Sequence, residues 1–121
     1  MEEKLIPEVK QLQILMDKFV KERDWERFND PKSLVLALTG EVGELAECFQ
    51  WLPADEAEKL AQVEPLAESI RDEVADVFLY LLRLCSVCGI DLAAATRAKM
   101  VKNAKKYPVG LRPGQSLKDK F

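Results

Sequence analysis

The chain has no histidine at all. That single absence removes the imidazole base of nucleophilic hydrolases, His-ligated zinc, and the Glu-x-x-His sites that hold iron in carboxylate bundles. Cysteine is scarce, three in 121 residues. Cys85 and Cys88 form one C-x-x-C, without the second pair that a zinc site needs. The pair lies in an apolar helical run ending at Gly89, not at a helix start where a thiolate is activated. Both are expected to be small buried hydrophobes, the usual fate of free cysteine. No apolar run approaches the roughly 20 residues that span a bilayer. The opening MEEKLIPEVK has neither the basic region nor the apolar segment of a secretion signal, which leads to the expectation of a cytoplasmic protein with no membrane partner. An excess of positive charge is missing too. With 18 basic against 21 acidic side chains the net charge is −3, which argues against a nucleic-acid partner.

What is present is the composition of a folded protein, 48% hydrophobic and 32% charged, in a length that suits one domain over residues 1–121. Nearly all of it reads as helix. Leu5, Val9, Leu12, Met16, Phe19 and Val20 recur at helical spacing and predict a first helix over about 4–23. Asp30-Pro31 pairs a capping side chain with a proline at the first helical position, opening a second helix to about 51. PADEAEKLAQVEP, residues 53–65, is a polar connection with room for a short helix. Pro65 opens a third long helix, which Gly89 ends. Asp91 caps a fourth, over about 92–106, and Pro108 bars its continuation, leaving an irregular tail from about 107. No strand-type alternation or internal repeat competes. The fold class is all-α, resembling a four-helix bundle.

Two pairs of acids interrupt the apolar pattern. EVGELAE carries Glu41 and Glu44 three residues apart, and RDEVADVFLYLL carries Glu73 and Asp76 at the same spacing. Residues at i and i+3 share a helical face. Leu34, Leu45 and Leu52 project within about 40° of Glu41, so this pair borders the buried stripe. In the other helix Tyr80 projects between the two acids, with Val77 and Leu84 beside Glu73. If these helices pack together, four carboxylates converge at the edge of the core. Two like charges 4 Å apart repel by about 4 kcal/mol at an effective dielectric of 20. A hard divalent cation offsets that repulsion, and an all-oxygen ligand set selects Mg²⁺ or Mn²⁺. Two readings of the acids stand at this level, a metal site and a solvated face; Glu47 belongs with the second or takes a secondary ligand role. Lys99, Lys102, Asn103 and Lys106 share one face of the last helix, again either a solvated basic face or a phosphate contact.

The E-x-x-E of EVGELAE followed by the E-x-x-D of EVAD resembles the signature of the MazG-like all-α nucleoside triphosphate pyrophosphohydrolases. RDWERFNDPKSLVLALTGEVGELAECFQW, DEVADVFLYLLRL and KMVKNAKKYPV extend the resemblance to the dCTP pyrophosphatase branch, over most of residues 12–112. It implies an oligomeric helical bundle, a homodimer or homotetramer with sites shared between subunits. It implies Mg²⁺ as cofactor and a nucleoside triphosphate as substrate, cleaved to monophosphate and pyrophosphate. Glu41, Glu44, Glu73 and Asp76 are then the metal ligands, with a catalytic base on the EVGELAE helix. Trp25, Trp51 and Tyr80 line the nucleotide pocket, and Lys99, Asn103, Lys106 and Tyr107 lie near the substrate. On spacing alone the two tryptophans read as packing residues. The chain departs from the branch at Met16, where relatives often have histidine, and at Lys106, where they have arginine. Lysine keeps the charge but lacks the bidentate fork toward phosphate. Three activities remain distinguishable by experiment: a dCTP pyrophosphohydrolase, one directed at dUTP or a broader nucleotide set, and a non-catalytic helical interaction module.

Overall fold

The computed structural model describes the backbone of residues 2–110 and the side chains of residues 8–110. The tail expected to be irregular lies mostly outside them, as does the side chain of Leu5. Five α-helices follow in order: α1 (Glu2–Glu22), α2 (Pro31–Phe49), α3 (Ala57–Leu60), α4 (Leu66–Cys88) and α5 (Leu92–Lys106). A single 3₁₀ turn, Glu26–Phe28, joins α1 to α2. There is no strand among the described residues. The four long helices match the expected bundle, and α3 is the short helix of the polar connection.

The boundaries have local chemical causes. The Asp30 carboxylate accepts a hydrogen bond from the Ser33 amide at 3.0 Å, and Pro31 follows it at the first helical position. Hydrogen bonding by the Ser33 side chain, and then by this amide, holds the Asp30 carboxyl below its usual range. Asp91 caps α5 in the same way, through the Ala94 amide at 3.1 Å. α4 begins under Glu64, whose carboxylate accepts from the Glu68 amide at 3.0 Å and pairs with Arg71 at 2.8 Å. It ends at Gly89, which adopts a left-handed conformation at φ 66° and lets the Ile90 amide reach back to the Cys85 carbonyl at 2.8 Å. Among the described residues, no single helix is long and apolar enough to cross a membrane.

α4 is the hub. It packs along α2 and against α1, while α5 packs chiefly on α1. The buried hydrophobics are Val20 from α1, Leu34 from α2, and Ala67, Leu82 and Cys85 from α4. Leu12 and Phe19 of the α1 stripe are each 41% exposed, because that side of α1 borders a cavity. One expectation is corrected here. Cys88 is exposed while Cys85 is buried, since Cys88 ends α4 where no helix covers it. Burial pushes the Cys85 thiol up, so that sulfur is no activated thiolate. Large apolar side chains also lie open on α2 and α5, among them Leu36 and Met100.

Candidate metal centre and adjoining cavity

The close packing of α2 on α4 brings the two acid pairs together. Glu41 from α2 and Glu73 and Asp76 from α4 each offer a carboxylate oxygen, all within 4.8 Å of one another. Glu44 is more exposed and lies outside this trio, yet it stands close enough to raise the carboxyls of both Glu41 and Glu73. All four acids named from the sequence therefore meet, three converging and one closing the ring. Glu47 is exposed, as expected of a solvated position.

The electrostatics are those of crowded, partly desolvated carboxylates. Desolvation pushes the Glu41 carboxyl up to about 7, reinforced by the hydrogen bond and charge of Glu44 and by the charges of Asp76 and Glu73. Glu73 is raised for the same reasons, desolvation first and Glu44 next. One oxygen of Glu41 and one of Glu73, the two Oε2 atoms, are buried without any hydrogen-bond partner. Buried polar atoms are nearly always paired. Two orphaned carboxylate oxygens on facing helices, within reach of a third acid, fit a hard divalent ion bound through oxygen.

A cavity of about 400 Å³ adjoins the cluster, with Asp76 in its wall. Its other walls are Leu12, Leu15, Met16 and Phe19 of α1, Trp25, and Leu79 and Tyr80 of α4. Asp76 and Tyr80 are i and i+4 on α4, so one helical face carries both an acid of the cluster and an aromatic wall. Trp25 is held by its amide, which donates to the Val20 carbonyl at 3.0 Å, and by an edge-on contact with Phe19, centroids 5.7 Å apart. A second cavity of about 230 Å³ lies against Trp25 and Tyr80, lined also by Phe28, Asn29, Ser33, Leu34 and Ala37. A 400 Å³ space with apolar walls and few polar groups is of the size and character of a small-ligand site.

The remaining sequence-named residues are placed differently. Trp51 is 86% exposed just beyond α2 and lines neither cavity. Lys99, Lys106 and Tyr107 are exposed and Asn103 half-buried, on or just after the helix that packs on α1. The Lys106 ammonium rests over the Tyr107 ring at 5.2 Å. Leu12, Leu15, Phe19 and Leu79 are wall residues that the sequence did not single out as site residues. Helical spacing marks such a stripe as apolar without saying whether protein or ligand covers it.

The family model described as the MazG-like family matches residues 37–117, which contain all four acids. The chain belongs to the MazG-like family. Over 112 residues, 93% of its length, it is 41% identical to a protein named dCTP pyrophosphatase 1 from Bos taurus. The corresponding protein from Homo sapiens is 39% identical over the same span. In both cases the match covers 66% of the relative. A crystal structure of a pyrophosphatase from Archaeoglobus fulgidus superposes with a TM-score of 0.76 at 36% identity, covering 82% of this chain and 91% of that one. With the family match, that likeness supports a MazG-like fold for the bundle.

Proposed function

We propose that this MazG-like chain is a Mg²⁺-dependent nucleotide pyrophosphohydrolase that converts dCTP to dCMP and pyrophosphate, a cytoplasmic enzyme of nucleotide-pool sanitation. The observation that carries the reading is the convergence of Glu41, Glu73 and Asp76, with two orphaned carboxylate oxygens, beside a cavity walled by Trp25 and Tyr80. The names of the curated relatives support the choice of dCTP. Glu41, Glu73 and Asp76, with Glu44 beside them, would hold the ion. When bound, Mg²⁺ supplies charge neutralisation of the triphosphate and lowers the pKa of coordinated water.

The chain's own groups account for the rest. The cavity takes the base against Trp25 and Tyr80, which sets the phosphates toward Asp76. A water oxygen bonds to phosphorus as the bridging P–O bond between the α and β phosphates breaks, and the electron pair leaves with pyrophosphate. A proton released by that water passes to a carboxylate of the α2 pair. Glu44, exposed and beside both Glu41 and Glu73, would accept it.

Trp51, Lys99, Asn103, Lys106 and Tyr107 enter this site in a homodimer or homotetramer. Their own chain points none of them into the cavity beside Asp76, and the open apolar side chains of α2 and α5 supply surface for such an assembly. Lysines from a second copy would then steady the charge developing on pyrophosphate. The test is turnover across the common ribo- and deoxynucleoside triphosphates with Mg²⁺, products separated chromatographically. dCMP and pyrophosphate in equal amounts support the reading. Single phosphates, or no turnover of any nucleotide, overturn it and favour a binding module.

A further inference from the structure

A polar network runs beneath the cavity and takes no part in the chemistry above. Arg83 of α4 donates through Nη1 to Asp17 of α1 at 2.9 Å and through Nε to the Asn29 side-chain oxygen at 2.7 Å. The other Asp17 oxygen accepts from the Ser86 hydroxyl at 2.8 Å, and Gln13 donates to that hydroxyl at 2.7 Å. The Arg83 side chain is only 11% exposed, and Asp17 37%. A half-exposed ion pair contributes little to stability, and a largely buried cation costs desolvation energy. What the network does supply is geometry. A guanidinium is a flat fork, and here its two donors grip two different elements at a fixed angle.

Those elements are the cavity's walls. Arg83 follows Asp76, Leu79 and Tyr80 by seven, four and three residues, so all four share one face of α4. Asp17 is next to Met16 on the helix that also brings Leu12, Leu15 and Phe19. Asn29 closes the 3₁₀ turn through its amide to Glu26, and the same turn begins at Trp25, whose carbonyl accepts from Phe28. One side chain thus ties α4 to α1 and to the turn that bears the indole.

We infer that Arg83 is a positioning residue that sets the width of the apolar cavity, and through it the discrimination between bases, by holding Asp17 and Asn29. The inference rests on the nucleotide reading above. Arg83→Lys keeps the charge near Asp17 but loses the fork; Asn29→Ala removes only the contact to the turn. For both variants and the wild type, kcat and KM are measured for dCTP, dTTP and dATP, with the Mg²⁺ concentration giving half-maximal rate. Arg83→Lys is expected to raise KM for dCTP about tenfold with kcat within about twofold, as misplacement of a binding wall does. The preference for dCTP over dATP falls by a similar factor, and the Mg²⁺ requirement stays put. Asn29→Ala moves KM and preference the same way, less far, with melting temperature nearly unchanged. A uniform loss across all three nucleotides, an unchanged preference, or a weakened Mg²⁺ requirement in both variants overturns the inference while leaving the enzyme reading intact. A wild type that turns over no nucleotide overturns that reading, and this inference with it.

Discussion

Replacing Glu41 by glutamine should stabilise the metal-free protein above neutral pH while abolishing its activity. The Glu41 carboxyl sits at about 7 against an ordinary 4.5, mainly because folding strips it of water and then because Glu44, Asp76 and Glu73 crowd it. A folded-state value above the unfolded one fixes the sign. Below about pH 4.5 both states carry the proton and the group is neutral to folding. Between 4.5 and 7 the folded protein keeps the proton that the unfolded chain has released, so stability falls as pH rises. Above 7 the loss is complete. The full shift corresponds to roughly 3 kcal/mol at 1.36 kcal/mol per unit. Only one Glu41 oxygen is sealed from water, so solvent screening reduces this to about 1–2 kcal/mol. Glutamine is nearly the same size, keeps a hydrogen bond to Glu44 and does not titrate. With chelator present, Glu41→Gln should therefore match the wild type near pH 4.5 and melt about 4–8 °C higher at pH 8. Thermal melts followed by helical circular dichroism from pH 4.5 to 8 measure the difference. A wild-type melting temperature that climbs over this range, or a glutamine variant that melts lower at pH 8, refutes the picture of a self-repelling cluster.

Other outcomes follow from the same geometry. Mg²⁺ at a hundredfold excess over its dissociation constant should stabilise the wild type by about 2.7 kcal/mol; Glu73→Gln and Asp76→Asn should lose most of that, and an equal gain in these variants would place the ion elsewhere. Trp25→Ala removes an aromatic platform, and base–aromatic contacts in nucleic-acid binders are worth about 1–3 kcal/mol, so KM for dCTP should rise about tenfold with a much smaller change in kcat. If nucleotide binding is normal while the melting temperature drops, the indole is a packing residue. Light scattering at micromolar concentration should give the mass of a dimer or tetramer; a fully active monomer refutes the shared site.

The fold was legible because its punctuation is chemical and local. Asp30-Pro31, Gly89 and Asp91 each act within four residues, and the structure uses all three as read. The acids were legible for a related reason. Spacing of three places a pair on one face, and their position beside Leu34 and Val77 made the facing of α2 and α4 the simplest way to bury both stripes. What spacing could not show is what covers a stripe. Leu12 and Phe19 have the periodicity of core residues, but α4 leaves a gap in front of them, and the result is a wall. Trp51 was named only through resemblance; with 86% of its surface open, it lines neither cavity among the described residues. Arg83 did carry a signal, a lone cation inside LYLLRLCSVC. Its partners lie 54 and 66 residues away, beyond anything a local pattern encodes.

α4 couples the site to the fold. It contributes three of the five buried hydrophobics and two of the three converging acids, and the two sets are interleaved along one helix. Glu73 and Asp76 stand between Ala67 and Leu82, so the apolar contacts that seat α4 also fix how closely its acids approach Glu41. Packing thus holds like charges together, and the raised carboxyls of Glu41 and Glu73 are the measure of that opposition. A bundle with a larger buried core could tolerate the repulsion indefinitely; this one buries few side chains within a single chain and exposes apolar surface on α1, α2 and α5. Cation binding at the acids and association through those faces would therefore act in the same direction. One relieves the charge and the other enlarges the core that holds it in place.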